Sequence, residues 1–221
     1  MPLDPRVWEG RGERRSGSQK TIRGDTTWAY CPLHEDGNHH RALHRLTLFK
    51  RTQHPMIDLI LGGSRSGKSA AAVRLAAAGA GPVTYLATAV VSADDPSFAQ
   101  RIDRHRTRRP ADWTTVETGP DLAPHLARAS GIVLVDSLGT WVAGHHDFIV
   151  DLDAFLAVLT ARAGHTILVS DEVGLGVHPS SALGGRFRDA LGLVNEAVSA
   201  VSDRVSFVIA GRVVGLERIP W

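Results

Sequence analysis

Residues 62–69 read GGSRSGKS, set between the apolar run IDLIL (57–61) and the small-residue stretch AAAVRLAAA (70–78). Gly62, Gly67, Lys68 and Ser69 fill the four fixed places of the pattern G-x-x-x-x-G-K-[ST]. The flanks predict a buried strand entering a tight turn and a helix leaving it. Glycines at 62, 63 and 67, with Ser64, Arg65 and Ser66 between them, allow successive backbone N–H groups to close on an anion with no Cβ in the way. The helix that follows presents the positive end of its dipole to the same anion. Lys68 is placed to reach the outer phosphates of a nucleoside triphosphate, and the Ser69 hydroxyl to ligate Mg²⁺.

Working outward from this loop, short apolar runs alternate with helical patterns from Met56 onward. Strands are predicted at 57–61, 82–88, 113–118, 131–136, 165–170 and 204–211, with the last closing the sheet. Helices are predicted from the loop to about 78, from about 96 to 107, and over 121–129, 151–163 and 184–203. The last carries the apolar stripe Phe187, Leu191, Val194 and Val198. Strands alternating with helices imply parallel βαβ units covered on both faces. The fold class expected is α/β, a three-layer sandwich of the P-loop NTPase type around a mostly parallel sheet.

Residues 1–55 read differently. They hold ten Lys or Arg against six Asp or Glu, while 56–221 are near neutral, so the basic pI of about 9.0 belongs to the front of the chain. Apolar residues there come singly, without period, which predicts a solvated extension. An alternative start at Met56 would make 1–55 an over-long reading frame. The stretch CPLHEDGNHHRALH (31–44) matches no zinc-ligand spacing. The domain expected is therefore 56–221. A single cysteine, no signal peptide and no apolar run near 20 residues lead to the expectation of a cytoplasmic protein without membrane insertion.

Two further positions suggest chemistry. Asp136 ends the run IVLV (132–135), where a nucleotide-binding sheet places a carboxylate for Mg²⁺; a turn acid is the plainer alternative. In RIDRHRTRRPADWTTVE (101–117), five arginines surround His105. Such a run is either a solvated basic face or an anion site holding a nucleophile. In the second case the neighbouring cations disfavour imidazolium and keep the ring neutral.

Several motifs in one order carry a resemblance. They are GGSRSGKS, YLAT (85–88), R-I-x-x-H-x-x-x-R-P-x-x-W-x-T-x-E (101–117), VLVDSLGTWV (133–142), S-D-E-V-G-L-G-x-x-P (170–179) and F-R-D-x-x-G-x-x-N (187–195). Together they resemble the bifunctional adenosylcobinamide kinase / adenosylcobinamide-phosphate guanylyltransferase family of cobalamin biosynthesis, over nearly all of 56–221. The resemblance implies phosphorylation of adenosylcobinamide with ATP or GTP. It also implies transfer of GMP from GTP to adenosylcobinamide phosphate through a guanylylated His105. It further implies GTP contacts at Gly62 to Ser69, Ala87, Thr88, Ala89, Arg106, Thr107, Arg108, Arg109, Glu117 and Asp136, and a homotrimer. Two positions depart from the family pattern. Arg104 stands where a second histidine is frequent, and Asp171 where asparagine is common before Glu-Val-Gly.

Other readings stay open at this level: a different P-loop small-molecule kinase, or a GTP-binding module without chemistry. Binding of nucleic acid has the weakest case, since the arginine run lacks interleaved aromatics. Glu172 is either a site residue or the fixer of a glycine turn. Arg188 and Asn195 are either substrate contacts or partners within the fold. His145 and His146 are expected as solvated loop residues.

Overall fold

The computed structural model describes residues 55–89 and 110–218. The expectations for 1–54 and for a helix at about 96–107 lie outside the described residues.

The described residues form a seven-stranded sheet. In chain order the elements are β1 (Met56–Gly62), α1 (Lys68–Ala77), β2 (Val83–Ala87), β3 (Thr114–Glu117), α2 (Leu122–Arg128), β4 (Ile132–Asp136), α3 (Leu138–Ala143), a 3₁₀ turn (His146–Phe148), α4 (Leu152–Ala161), β5 (His165–Asp171), α5 (Ala182–Val201), β6 (Arg204–Ile209) and β7 (Arg212–Leu216). The spatial order is β3-β2-β4-β5-β1-β6-β7, with β1 between β5 and β6. All pairings are parallel except β6 with β7.

Alternation along the strands explains the three layers. On one face Ile60, Tyr85, Leu134, Ile167 and Val169 pack against Ala72 and Ala76 of α1. On the other face Leu59, Leu61, Leu86, Val133, Val135 and Leu168 meet α2 to α5 through Leu126, Trp141, Phe155, Leu159, Leu191 and Val194. Small residues on α1 let that helix lie close to the sheet, which brings its first turn over the strand ends.

One expectation is corrected, and one helix is found that was not predicted. The sheet does not close at 204–211, because β7 adds an antiparallel edge strand beyond it. Ala210 and Gly211 turn the hairpin with φ of 49° and 76°. Two consecutive positive φ values suit a two-residue hairpin turn, and Ala-Gly is a weaker signal for it than Asn-Gly. In VLVDSLGTWV the strand stops at Asp136, and Ser137 starts a helix. Ser137 Oγ accepts from the Thr140 backbone N–H at 3.3 Å, and Thr140 Oγ1 from the Ser137 N–H at 3.2 Å, a reciprocal cap.

Candidate active site

The parallel strands bring their carboxyl ends to one rim, where Gly62 pairs with Asp171, and Ala87 with both Asp136 and Glu117. Ligands of open α/β sheets bind at such a rim.

The loop after β1 is held from below. Ser66 N–H donates to Gly63 O at 3.2 Å, and the Ser66 carbonyl accepts from Gly211 N–H at 2.8 Å, which ties the loop to the β6–β7 turn. Arg65 and Gly67 take left-handed φ of 57° and 98°. A Cβ on Gly62 would stand 2.6 Å from Ser66 Oγ and 2.7 Å from Val208 O, so the loop closes only over a glycine. Above Gly63 the space is open for 4 Å. Gly67 caps α1 with no side-chain hydrogen bond of its own, and the first N–H of the helix, that of Lys68, donates to Ser66 Oγ at 3.4 Å.

Side chains converge on this opening. Ser69 Oγ donates to Asp136 Oδ1 at 3.3 Å, and the buried Tyr85 hydroxyl donates to Asp136 Oδ2 at 2.6 Å. Lys68 Nζ lies 2.6 Å from Asp171 Oδ1 and donates to Gly63 O at 3.3 Å. The structure thus brings together Gly62 to Ser69 and Asp136. Sequence reasoning left Asp171 without a role and named Tyr85 only within a motif. The signal for Asp171 was its place at the end of an apolar run, the same signal that found Asp136.

Other positions are placed differently. Ala87 ends β2 on the same rim, and Thr88 and Ala89 follow it. The Thr88 hydroxyl is buried, donating to Ser137 O at 2.7 Å and lying 2.6 Å from Thr140 Oγ1, so its side chain braces the start of α3. Glu117 ends β3, four strands from β1 in the sheet order, or roughly 19 Å at normal strand spacing. It shares the rim without adjoining the loop. His105, Arg106, Thr107, Arg108 and Arg109 lie outside the described residues. Glu172 Oε1 accepts from Gly174 N–H at 2.6 Å, which favours the turn-fixing reading. Asn195 donates to the Asp171 carbonyl at 3.1 Å, a contact within the fold, and Arg188 donates to the adjacent Asp189 at 2.9 Å. His146 is exposed as expected, whereas His145 is half-buried, its Nδ1 2.8 Å from Trp141 O and its ring edge-on to the indole.

Among the described residues no cluster of three or more His, Cys, Asp or Glu could hold a metal ion. A hydroxyl and a carboxylate beside a phosphate cradle nevertheless suit Mg²⁺, which takes few protein ligands and completes its shell from phosphate oxygens and water. Ser69 and Asp136 fit that role.

Fold and rim together define a P-loop nucleotide-binding protein of the three-layer α/β class. A family model described as cobinamide kinase / cobinamide phosphate guanyltransferase matches residues 58–216. The chain is 41% identical over 174 residues to the bifunctional adenosylcobalamin biosynthesis protein CobP of Pseudomonas aeruginosa, covering 75% of this chain and 99% of that one. It is 30% identical to the bifunctional adenosylcobalamin biosynthesis protein CobU of Escherichia coli K12, covering 71% and 97%. The same-named protein of Salmonella typhimurium is 31% identical, again with 71% and 97% covered. The chain belongs to the cobinamide kinase / cobinamide phosphate guanyltransferase family. No helix among the described residues is long and apolar enough to cross a membrane.

Proposed function

We propose that this protein phosphorylates adenosylcobinamide with ATP or GTP and then transfers GMP from GTP to adenosylcobinamide phosphate, yielding adenosylcobinamide-GDP. The observation that supports this most directly is the intact phosphate loop with Lys68, Ser69 and Asp136 converging on it, in a chain of this family.

In the kinase step the substrate hydroxyl attacks the γ-phosphorus and the β–γ bridging bond breaks. The loop N–H groups and the first turn of α1 hold the phosphates, and Lys68 balances charge building on the outer ones. Ser69 Oγ and Asp136 would hold Mg²⁺, which when bound would supply Lewis-acid stabilisation of the phosphate oxygens. Tyr85 keeps one Asp136 oxygen engaged and so orients the carboxylate toward Ser69.

In the transferase step a ring nitrogen of neutral His105 attacks the α-phosphorus of GTP. An N–P bond forms, the α–β bridging P–O bond breaks, and pyrophosphate leaves. The phosphate oxygen of adenosylcobinamide phosphate then attacks the same phosphorus, and the ring nitrogen departs, taking up a proton. Arginines at 106, 108 and 109 would stabilise the charge at phosphorus, and Thr107, Ala87 to Ala89 and Glu117 would contact GTP along the rim. The assembly proposed is a homotrimer.

The test is covalent labelling. Wild-type protein incubated with α-labelled GTP and Mg²⁺, then denatured, should retain label that is lost in acid and kept in base. His105→Ala should lose all of it while still binding GTP. Full labelling of that variant would remove His105 from the mechanism.

A further inference from the structure

Asp171 sits in the loop's mouth without a part in either step above. Its carboxylate is 31% exposed and contacts Lys68, whose side chain is only 11% exposed. The lysine ammonium has three donors. One faces Asp171 Oδ1 at 2.6 Å and another Gly63 O at 3.3 Å. The charge that should meet the outer phosphates is therefore already opposed by a carboxylate.

The backbone that carries this carboxylate is fixed beside the loop. Its second oxygen lies over Gly139 in the first turn of α3, where a Cβ would stand only 2.7 Å away. Its backbone belongs to β5, paired with Gly62. Asn195 holds the Asp171 carbonyl from behind, and the next residue's N–H donates to Gly62 O at 3.1 Å. Strand pairing and Asn195 fix the Asp171 backbone, so its side chain starts from a position beside the loop.

We propose that Asp171 is a resident anion of the phosphate loop: its carboxylate competes with the outer phosphates for Lys68, weakens the binding of uncomplexed triphosphate, and so makes tight binding depend on a divalent cation. This rests on the loop being a triphosphate site. Like charges at close range repel, and a divalent cation on the phosphates lowers that repulsion by offsetting part of their charge. Asp171 is thus a specificity-determining residue that selects the metal complex of the nucleotide over the free anion.

The experiment titrates the full chain with a fluorescent, non-hydrolysable GTP analogue, once with Mg²⁺ and once with EDTA. Asp171→Asn should bind about five- to tenfold more tightly than wild type in EDTA, and change by less than about threefold in Mg²⁺. Asp171→Ala should move in the same direction. Glu172→Gln, which removes the neighbouring charge that faces Gly174 and not Lys68, should leave both affinities unchanged. An unchanged or weakened EDTA affinity in the Asp171 variants overturns the proposal, as does an equal gain in Glu172→Gln. If wild type binds the analogue in neither buffer, the triphosphate-site reading itself fails, a result distinct from both.

Discussion

Both ends of the parallel strands carry paired charges, and they use them in opposite ways. At the amino ends, Asp58 of β1 is 3% exposed and accepts two hydrogen bonds from Arg204, at 2.6 and 2.7 Å, with His165 Nε2 a further 2.6 Å contact. These three residues link β1, β6 and β5. Close by, the buried Arg162 donates to Thr166 Oγ1 and Gly131 O, and burial pushes its guanidinium below the usual arginine pKa. At the carboxyl ends, by contrast, Lys68, Ser69, Asp136 and Asp171 are half-buried around an open loop, with separations of 2.6 to 3.3 Å. A charge locked among strands adds cohesion to the sheet. A charge left at a rim can exchange its partner for a ligand.

Substitutions at four positions test that contrast. The largest effect is expected from Lys68→Ala, which should lower kcat/KM of phosphoryl transfer by about 10²–10³, a loss of ~3–4 kcal/mol of transition-state stabilisation. Its unfolding free energy should stay within about 1 kcal/mol of wild type, because the rim pair is exchangeable; steady-state kinetics and urea titration check both. The Asp171 variants above belong to the same rim and should alter binding without lowering stability.

Asp58→Asn is the counterpart at the other end. It should cost about 2–3 kcal/mol of stability, measured by urea unfolding, and leave nucleotide affinity unchanged. The half-exposed Arg204 can rehydrate, which holds the figure below that of a fully buried pair. Burial alone would raise the Asp58 pKa, but hydrogen bonds and charge from His165 and Arg204 outweigh it and hold the carboxyl below its ordinary 3.8. A depressed carboxyl pKa stabilises the fold above its unfolded value and loses that contribution as pH falls through the folded value. Wild-type stability should therefore drop below about pH 4, and the drop should be shallower in Asp58→Asn.

The smallest effect is expected from Tyr85→Phe. Losing the hydrogen bond to Asp136 should cost about 1 kcal/mol of stability and reduce kcat about three- to tenfold, with a raised Mg²⁺ requirement. A variant that shifted stability alone would assign Tyr85 to the core and not to the orientation of Asp136.

The loop was legible because its motif is contiguous: eight residues dictate a glycine turn between one strand and one helix. Asp136 was legible because an acid after IVLV marks a strand end. Tyr85 and Asp171 were not, since their contacts span 51 residues to Asp136 and about a hundred to Lys68. The edge strand β7 was missed because its turn is Ala-Gly, and α3 because its cap lies inside a motif read as a unit.

Local order therefore determined the α/β class, the phosphate loop and the strand-terminal acid, since each follows from hydrophobic period and backbone freedom over a few residues. Only the tertiary arrangement decided which carboxylate meets Lys68, which hydroxyl aims Asp136, and which charges are buried at the far end. Those pairings depend on the lateral order of strands, and β5 stands beside β1 only because the crossover connections put it there.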